Sequence, residues 1–372
     1  MKAKPIGIYL HIPFCIRKCN YCDFCSLPGC TQDFISDYTD AIIREIRGYS
    51  GKGILVDTVF FGGGTPTLLS GEEHKRIMKA LAETFEILPG AEITMEANPK
   101  TLTKKSLSEY IASGVNRISL GLQSIHENEL KMLGRIHTFE DFFASYKLCR
   151  ECGISNINID LMYGIPEQTE ASFDQTLKAV LALSPEHISV YGLIVEEGTR
   201  FYDERDALNL PDEDTEKNMY LSAVRALTDA GYAHYEISNY ARPGKKSRHN
   251  LKYWRDEEYL GFGAAAYSYF DGVRFGNTDS VTDYIAGGNI RAYSEKTSGE
   301  DIAFEFAMLA LRLDEGISEK EYQNRFGTSF YDGRSELIDK YSDAGLIRRS
   351  NGRISLTDEG FYLSNTILSE IL

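Results

Sequence analysis

The sequence predicts an α/β protein: a parallel sheet with helices outside it, followed by a smaller, mostly helical domain. Three observations predict this. Short apolar runs alternate with amphipathic segments through the first two-thirds of the chain, the pattern of successive βα units. Gly114, Gly153 and Gly231 each follow a helical pattern at the position where a left-handed residue ends a helix. From about Glu300 the alternation stops and helix patterns take over.

In chain order, apolar runs at 6–11, 58–62, 92–97, 116–120, 156–162, 187–193 and 234–238 read as strands. Helical patterns at 32–49, 70–85, 103–113, 139–152, 170–183 and 214–230 fill most of the gaps between them. Six or seven βα units are enough to curl into a barrel or part of one. A glycine- and aromatic-rich stretch around Gly261, Gly263 and Gly272 reads as a β-hairpin over the barrel mouth or as loop packing. Helices at 301–313, 318–326 and 334–344, a small β wing at 345–356 and a helix at 358–368 read as a winged-helix-like module. The expected division is therefore 1–240 for the barrel, 241–299 for an extension and 300–372 for the C-terminal domain.

Bulk properties narrow the function. The formal net charge of −15 and the lack of a basic run argue against nucleic acid or an anionic membrane as partner. The recognition-like helix of the C-terminal module carries Glu336, Asp339 and Asp343, which favours packing or protein contact over DNA. No window approaches the ~18 apolar residues of a membrane span. The apolar run after Met1 contains His11 and leads into cysteines, so a signal peptide is not expected, and the chain reads as cytoplasmic. Seven cysteines in such a chain point to metal chemistry rather than a disulfide frame.

The densest chemistry lies between Tyr9 and Cys25. Cys15, Cys19 and Cys22 follow a C-x3-C-x2-C spacing. Three thiolates on one loop can hold three corners of a [4Fe-4S] cube and leave one iron open to a small chelating ligand. Zinc is the competing metal: Cys22 and Cys25 form one C-x2-C pair, and Cys149 and Cys152 another, but zinc leaves Cys15 and Cys19 unexplained. A redox C-x2-C pair leaves them unexplained too. Cys149 and Cys152 lie in a helical pattern and read as buried thiols.

Polar motifs recur at the carboxyl ends of the expected strands, where parallel βα folds bind ligands. Gly62-Gly63-Gly64-Thr65-Pro66 follows the second strand, and Glu96-Ala97-Asn98-Pro99 the third. Arg117-Ile-Ser119-Leu-Gly121-Leu-Gln123 covers the fourth, with Arg135 and His137 beyond it. Asp160-Leu-Met-Tyr-Gly-Ile-Pro166 covers the fifth. Each motif alone reads as a turn or a cap. Four consecutive junctions with polar groups suit a nucleoside-sized ligand.

The cysteine spacing resembles that of the radical SAM superfamily, and the whole motif set resembles its oxygen-independent coproporphyrinogen III oxidase branch. The resemblance implies an open (β/α)6 partial barrel with the cluster loop after the first strand. It implies S-adenosylmethionine bound among Tyr9, Gly63, Gly64, Thr65 and Glu96, with Tyr21, Gln123, Arg135 and Asp160 around it. Two departures point away from the oxidases. They carry a further cysteine where this chain has Phe24, and they have a long segment before the cluster, whereas here the first cluster cysteine is residue 15. Both features resemble the HemW group of heme chaperones. So does His249-Asn250-Leu-Lys-Tyr253-Trp254, which matches that group's HNxxYW motif and implies heme nearby. By residues alone this segment reads as a structural His–Asn turn with aromatic packing. Cys25 reads as a spare loop thiol.

The expectation is thus a radical SAM heme chaperone using a [4Fe-4S] cluster, S-adenosylmethionine and heme. It would pass heme to an acceptor protein, membrane-bound acceptors included, without itself carrying a membrane segment. The competing expectation is coproporphyrinogen III oxidative decarboxylation; a third is radical chemistry on another substrate with His249 structural.

Overall fold

A computed structural model describes residues 4–372. Strands and helices alternate as β1 (Ile6–Ile12), α1 (Gln32–Arg47), β2 (Leu55–Gly63), α2 (Gly71–Thr84), β3 (Glu86–Ala97), α3 (Lys104–Ala112) and β4 (Arg117–Gln123). Then come α4 (Glu127–Met132), α5 (Phe139–Glu151), β5 (Ile157–Tyr163), α6 (Glu170–Leu183) and β6 (His187–Gly192). Helix starts are set locally. Ser70 with Glu73, Thr103 with Ser106, and Thr138 with Asp141 form capping boxes that satisfy the first free N–H groups of α2, α3 and α5. β1 to β6 pair in sequence order, all parallel. Their outward side chains, among them Ile8, Val59, Ile118 and Ile159, are buried under the helices. Their inward side chains, among them His11, Thr58, Glu96, Ser119, Asp160 and His187, are largely polar.

The edges differ from the sequence-based expectation. After α7 (Glu213–Asp229), the expected strand at 234–238 is two short strands, β7 (Ala233–Glu236) and β8 (Asn239–Ala241). They form an antiparallel hairpin closing the edge beside β6. The seventh parallel strand comes from the other side. After α8 (Arg248–Trp254), β9 (Tyr259–Phe262) pairs parallel with β1. β10 (Tyr267–Phe270), β11 (Val273–Asn277) and β12 (Arg291–Lys296) then extend that edge antiparallel. The glycine-rich stretch is therefore sheet edge rather than a hairpin over the mouth. The sheet order is β12-β11-β10-β9-β1-β2-β3-β4-β5-β6-β8-β7, and its two ends do not meet, so the barrel is open.

The C-terminal part runs through α9 (Gly299–Ala310), α10 (Glu319–Phe326), α11 (Ser335–Asp343), a wing of β13 (Ile347–Ser350) and β14 (Arg353–Leu356), then α12 (Asp358–Tyr362) and α13 (Ser364–Ile371). Phe306, Tyr322, Phe330, Ile338 and Ile354 make its core, which is continuous with the barrel core. A buried carboxylate, Asp256, receives Arg274 at 2.8 Å from the sheet edge and Arg325 at 2.7 Å from α10. Among the described residues no helix is long and apolar enough to cross a membrane.

Candidate functional site

A cavity of about 360 Å³ opens at the carboxyl ends of the parallel strands. The loop after β1 forms one wall and contributes Cys15, Cys19 and Cys22, all free thiols. The loop is pinned at several points. Phe14–Cys15 pairs with Leu27–Pro28, the Asn20 amide reaches the Met132 carbonyl at 2.8 Å, and His11 Nε2 donates to the Cys25 carbonyl at 2.8 Å. Lone cysteines drift; these are presented by a loop fixed at its base, middle and end.

The opposite wall is built from strand ends. Gly63 and Gly64 end β2 with the backbone against the cysteine loop. Gly63 has φ +109°, and a Cβ there would meet the His11 ring at 2.7 Å. A Cβ on Gly64 would meet the Phe14 carbonyl at 2.7 Å and Cys15 Sγ at 3.0 Å. Only glycine lets β2 approach the thiols this closely. The Gly63 N–H donates to Glu96 at 3.2 Å, and Thr65 Oγ1 lies 3.7 Å from Cys15 Sγ. Asn98 joins Thr65 (2.7 Å) to Arg135 (2.6 Å), and Arg135 also reaches the Gly121 carbonyl at 2.7 Å and Cys19 Sγ at 3.6 Å. Gln123 ends β4 in the left-handed region, φ 71°, and turns into the cavity. Ser119 and Asn158 hold Asp160 at 3.0 and 2.7 Å.

The donor set fits an iron–sulfur cluster. Burial pushes the Cys15 thiol up and the Cys22 thiol up to about 11, so without a cation these groups stay protonated. A bound iron centre reverses that preference, because coordination deprotonates a thiol. Among the described residues no three His, Cys, Asp or Glu side chains converge on one ion-sized point. A cube spaces its ligands more widely than a single ion does. Cys149 is on the buried face of α5, with its thiol pushed up to about 12 by burial, and it faces no cavity with Cys22 and Cys25. Opposite the thiols, burial first and the Asp160 charge second push Glu96 up to about 8. A carboxyl group buried in this way gains from an ammonium or hydroxyl ligand that replaces its lost water.

Of the residues predicted from sequence, Tyr21, Gly63, Gly64, Glu96, Gln123, Arg135, Asp160 and the three cysteines line this cavity. Thr65 stands beside Cys15 just behind the wall. Tyr9 does not line it: its ring is one layer lower, stacked on Phe60, with its hydroxyl 3.1 Å from His11 Nδ1. Cys25 points away and donates to the Asp279 carbonyl at 3.3 Å. The HNxxYW segment lies at the opposite end of the barrel. It is α8, seated under the amino ends of β1, β2 and β3. His249 is buried, with Nδ1 2.9 Å from Thr58 Oγ1 and Nε2 2.7 Å from the Tyr253 hydroxyl. Glu92 accepts the Arg248 and His249 N–H groups. The ring therefore has no free nitrogen for an axial iron bond, contrary to the simplest reading of the motif. Asn250 is partly buried beside it, and Trp254 reaches a wide cleft of about 860 Å³ between the barrel floor and α10. Sequence reasoning missed Tyr191 and Met162, which also line the cofactor cavity. Their signal was available: both stand at the carboxyl ends of strands.

A Radical SAM superfamily model matches residues 9–180, and a HemN C-terminal domain model matches 297–363. The chain is 35% identical over its full length to the heme chaperone HemW of Lactococcus lactis, covering 98% of that protein. It is 36% identical to HemW of Bacillus subtilis, covering 98% of each chain, and 36% identical to HemW of Escherichia coli, covering 100% of this chain and 99% of that one. Among solved structures, coproporphyrinogen III oxidase (HemN) from Escherichia coli, a radical SAM enzyme, superposes with a TM-score of 0.86 at 26% identity, over 98% of this chain and 89% of that one. With the cysteine loop, the glycine wall and the full-length likeness together, the chain belongs to the HemW heme-chaperone family of radical SAM proteins.

Proposed function

We propose that this protein is a cytoplasmic heme chaperone. It would bind heme and pass it to an acceptor protein, using a [4Fe-4S] cluster on Cys15, Cys19 and Cys22 and S-adenosylmethionine in the adjoining cavity. The observation that carries the cofactor part is the convergence of three free thiols and the Glu96, Gln123, Arg135 and Asp160 side chains on one cavity. When bound, the cluster supplies an open iron for chelation and an electron for cleavage of the sulfonium. The chain's own residues do the rest. Gly63 and Gly64 admit the ligand's backbone-like end. Glu96 and Asp160 accept hydrogen bonds from amino and hydroxyl groups. Arg135 stabilises charge beside Cys19. The heme part is supported by the relatives' shared name and by the HNxxYW segment, whose partly buried Trp254 lines the cleft beside α10.

The test is an anaerobic heme titration of cluster-reconstituted protein followed by absorbance. Saturation near one heme per chain supports the reading. No specific binding sinks it, and vinyl products from coproporphyrinogen III would move the chain to the oxidase reading instead. The superposition on HemN favours keeping that assay in the same experiment.

A further inference from the structure

The inward side chains of β4, β5, β6 and β7 form a continuous hydrogen-bonded chain through the barrel. It starts at the floor, where the Ser247 N–H, at the cap of α8, donates to the Tyr235 hydroxyl at 3.2 Å. Tyr235 stands 2.8 Å from His187 Nε2. His187 Nδ1 is 2.6 Å from Asn158 Oδ1, which also accepts from Ser189 at 3.2 Å. Asn158 Nδ2 donates to Ser119 Oγ and to Asp160 Oδ1, both at 2.7 Å. Ser119 closes the chain by donating to Asp160 Oδ2 at 3.0 Å.

The direction of every bond is fixed by chemistry. Asn158 must present its amide nitrogen to a carboxylate, so its oxygen faces His187. His187 must then carry its proton on Nδ1 and accept at Nε2. Burial pushes His187 well below the usual imidazole range, which keeps the ring neutral, and its bonds to Asn158 and Tyr235 fix the tautomer. Tyr235 therefore donates to His187 and accepts from Ser247. All bonds point toward Asp160. A chain polarised in one direction strengthens each of its members, and each is sealed from competing water. Ser119, Asn158, His187, Ser189 and Tyr235 are all buried.

We infer that Asn158, His187 and Tyr235 are positioning residues that aim the Asp160 carboxylate into the cofactor cavity and couple it to α8, so that ligand binding at Asp160 is felt at Trp254. The coupling rests on the reading of the cavity as an S-adenosylmethionine site. A ligand hydroxyl donating to Asp160 competes with the donors already there, and the chain transmits the adjustment to the cap of α8. A second path runs alongside. The Cys25 carbonyl accepts from His11, His11 accepts from Tyr9, and the Tyr9 ring packs on Phe60, which stacks on His249.

Trp254 is the only tryptophan, so it gives a single local probe. The experiment uses the full-length, cluster-reconstituted chain labelled with 5-fluorotryptophan. Fluorine NMR is recorded anaerobically during an S-adenosylmethionine titration, with binding measured separately by calorimetry. The wild-type resonance is expected to shift in step with binding. Tyr235→Phe, which removes one hydroxyl, is expected to lose at least half of that shift and to bind about five-fold more weakly, the worth of roughly one hydrogen bond. His187→Gln, which can still donate and accept, is expected to keep part of it. Tyr232→Phe is the control: it also removes a buried hydroxyl, one bonded to the Pro185 carbonyl outside the chain, and should leave the shift intact. No calorimetric binding to wild type overturns the cavity reading itself. Binding without a shift, or an equal shift in Tyr235→Phe, overturns the coupling alone.

Discussion

The two ends of the barrel use the same residue types to opposite effect. At the carboxyl ends of the strands, Cys, Glu, Gln, Arg and Asp side chains meet around open space. Apolar side chains stand exposed at the rim: Ile16 at 54%, Phe24 at 60% and Ile194 at 65%. At the amino ends, His249, Lys252 and Glu92 are buried, and each is matched within the protein. Lys252 alone reaches Asp57 at 2.8 Å, the Pro5 carbonyl at 3.0 Å and Glu257 at 3.3 Å. A polar group whose valences are filled internally holds a fold together; one left facing a cavity has capacity for a ligand. The contrast assigns chemistry to the mouth and closure to the floor.

Replacing the cysteines tests the mouth most severely. Cys15→Ser, Cys19→Ser or Cys22→Ser should each abolish the iron and sulfide content of reconstituted protein, while Cys149→Ser should retain it. Equal loss in the Cys149 variant would break the assignment. The floor should respond in stability instead. Lys252→Met leaves the half-buried Asp57 with Arg248, at 3.4 Å, as its one remaining cation and should cost about 3 kcal/mol in denaturant unfolding, with iron content unchanged.

Ionisation sharpens the comparison. Glu96 is raised to about 8 in the folded chain, above its unfolded value. Its burial therefore costs nothing at pH values below the unfolded range, and stability is lost as pH rises toward 8. Glu96→Gln should be more stable than wild type at pH 8.5 by roughly 5 kcal/mol, and the gain should vanish near pH 4. A pH-independent difference would mean that packing, not charge, dominates at that position.

His249 separates the two readings of the floor. His249→Ala removes partners from Thr58 and Tyr253 and should destabilise the chain by about 2 kcal/mol. Because both ring nitrogens are engaged, the heme Soret band should stay where it is in wild type. A displaced Soret band would show that the floor opens to heme. The smallest effect belongs to Cys25→Ser, whose thiol makes one weak hydrogen bond to a carbonyl that a hydroxyl can also make. Its unfolding free energy should stay within about 0.5 kcal/mol of wild type, with iron content unchanged.

Much of the mouth was legible because its signals are local. The C-x3-C-x2-C spacing fixes three thiols on one loop, and Gly63 and Gly64 mark a close approach of backbone that no other residue tolerates. Helix limits such as 170–183 were legible from capping residues and periodicity, and the structure keeps them as Glu170–Leu183. Tyr9 points into the barrel but lies one layer below the residues that line the cavity, because its depth along β1, two residues before His11, sets how far its side chain reaches. The expected strand at 234–238 broke at Ile237 and Ser238, where β7 turns back into β8.

What the sequence by itself determined is therefore the alternating sheet, the cluster loop and the residues at strand ends, since each depends on neighbours only a few positions away. Only the tertiary structure decided which edge carries the seventh parallel strand, that the HNxxYW helix closes the floor, and that Asp160 is joined to it through Asn158, His187 and Tyr235. Those outcomes depend on pairings between residues far apart in the chain, such as β1 with β9 and His249 with Thr58. Periodicity carries no information about such partners, because the same alternation serves any strand that finds a sheet to join.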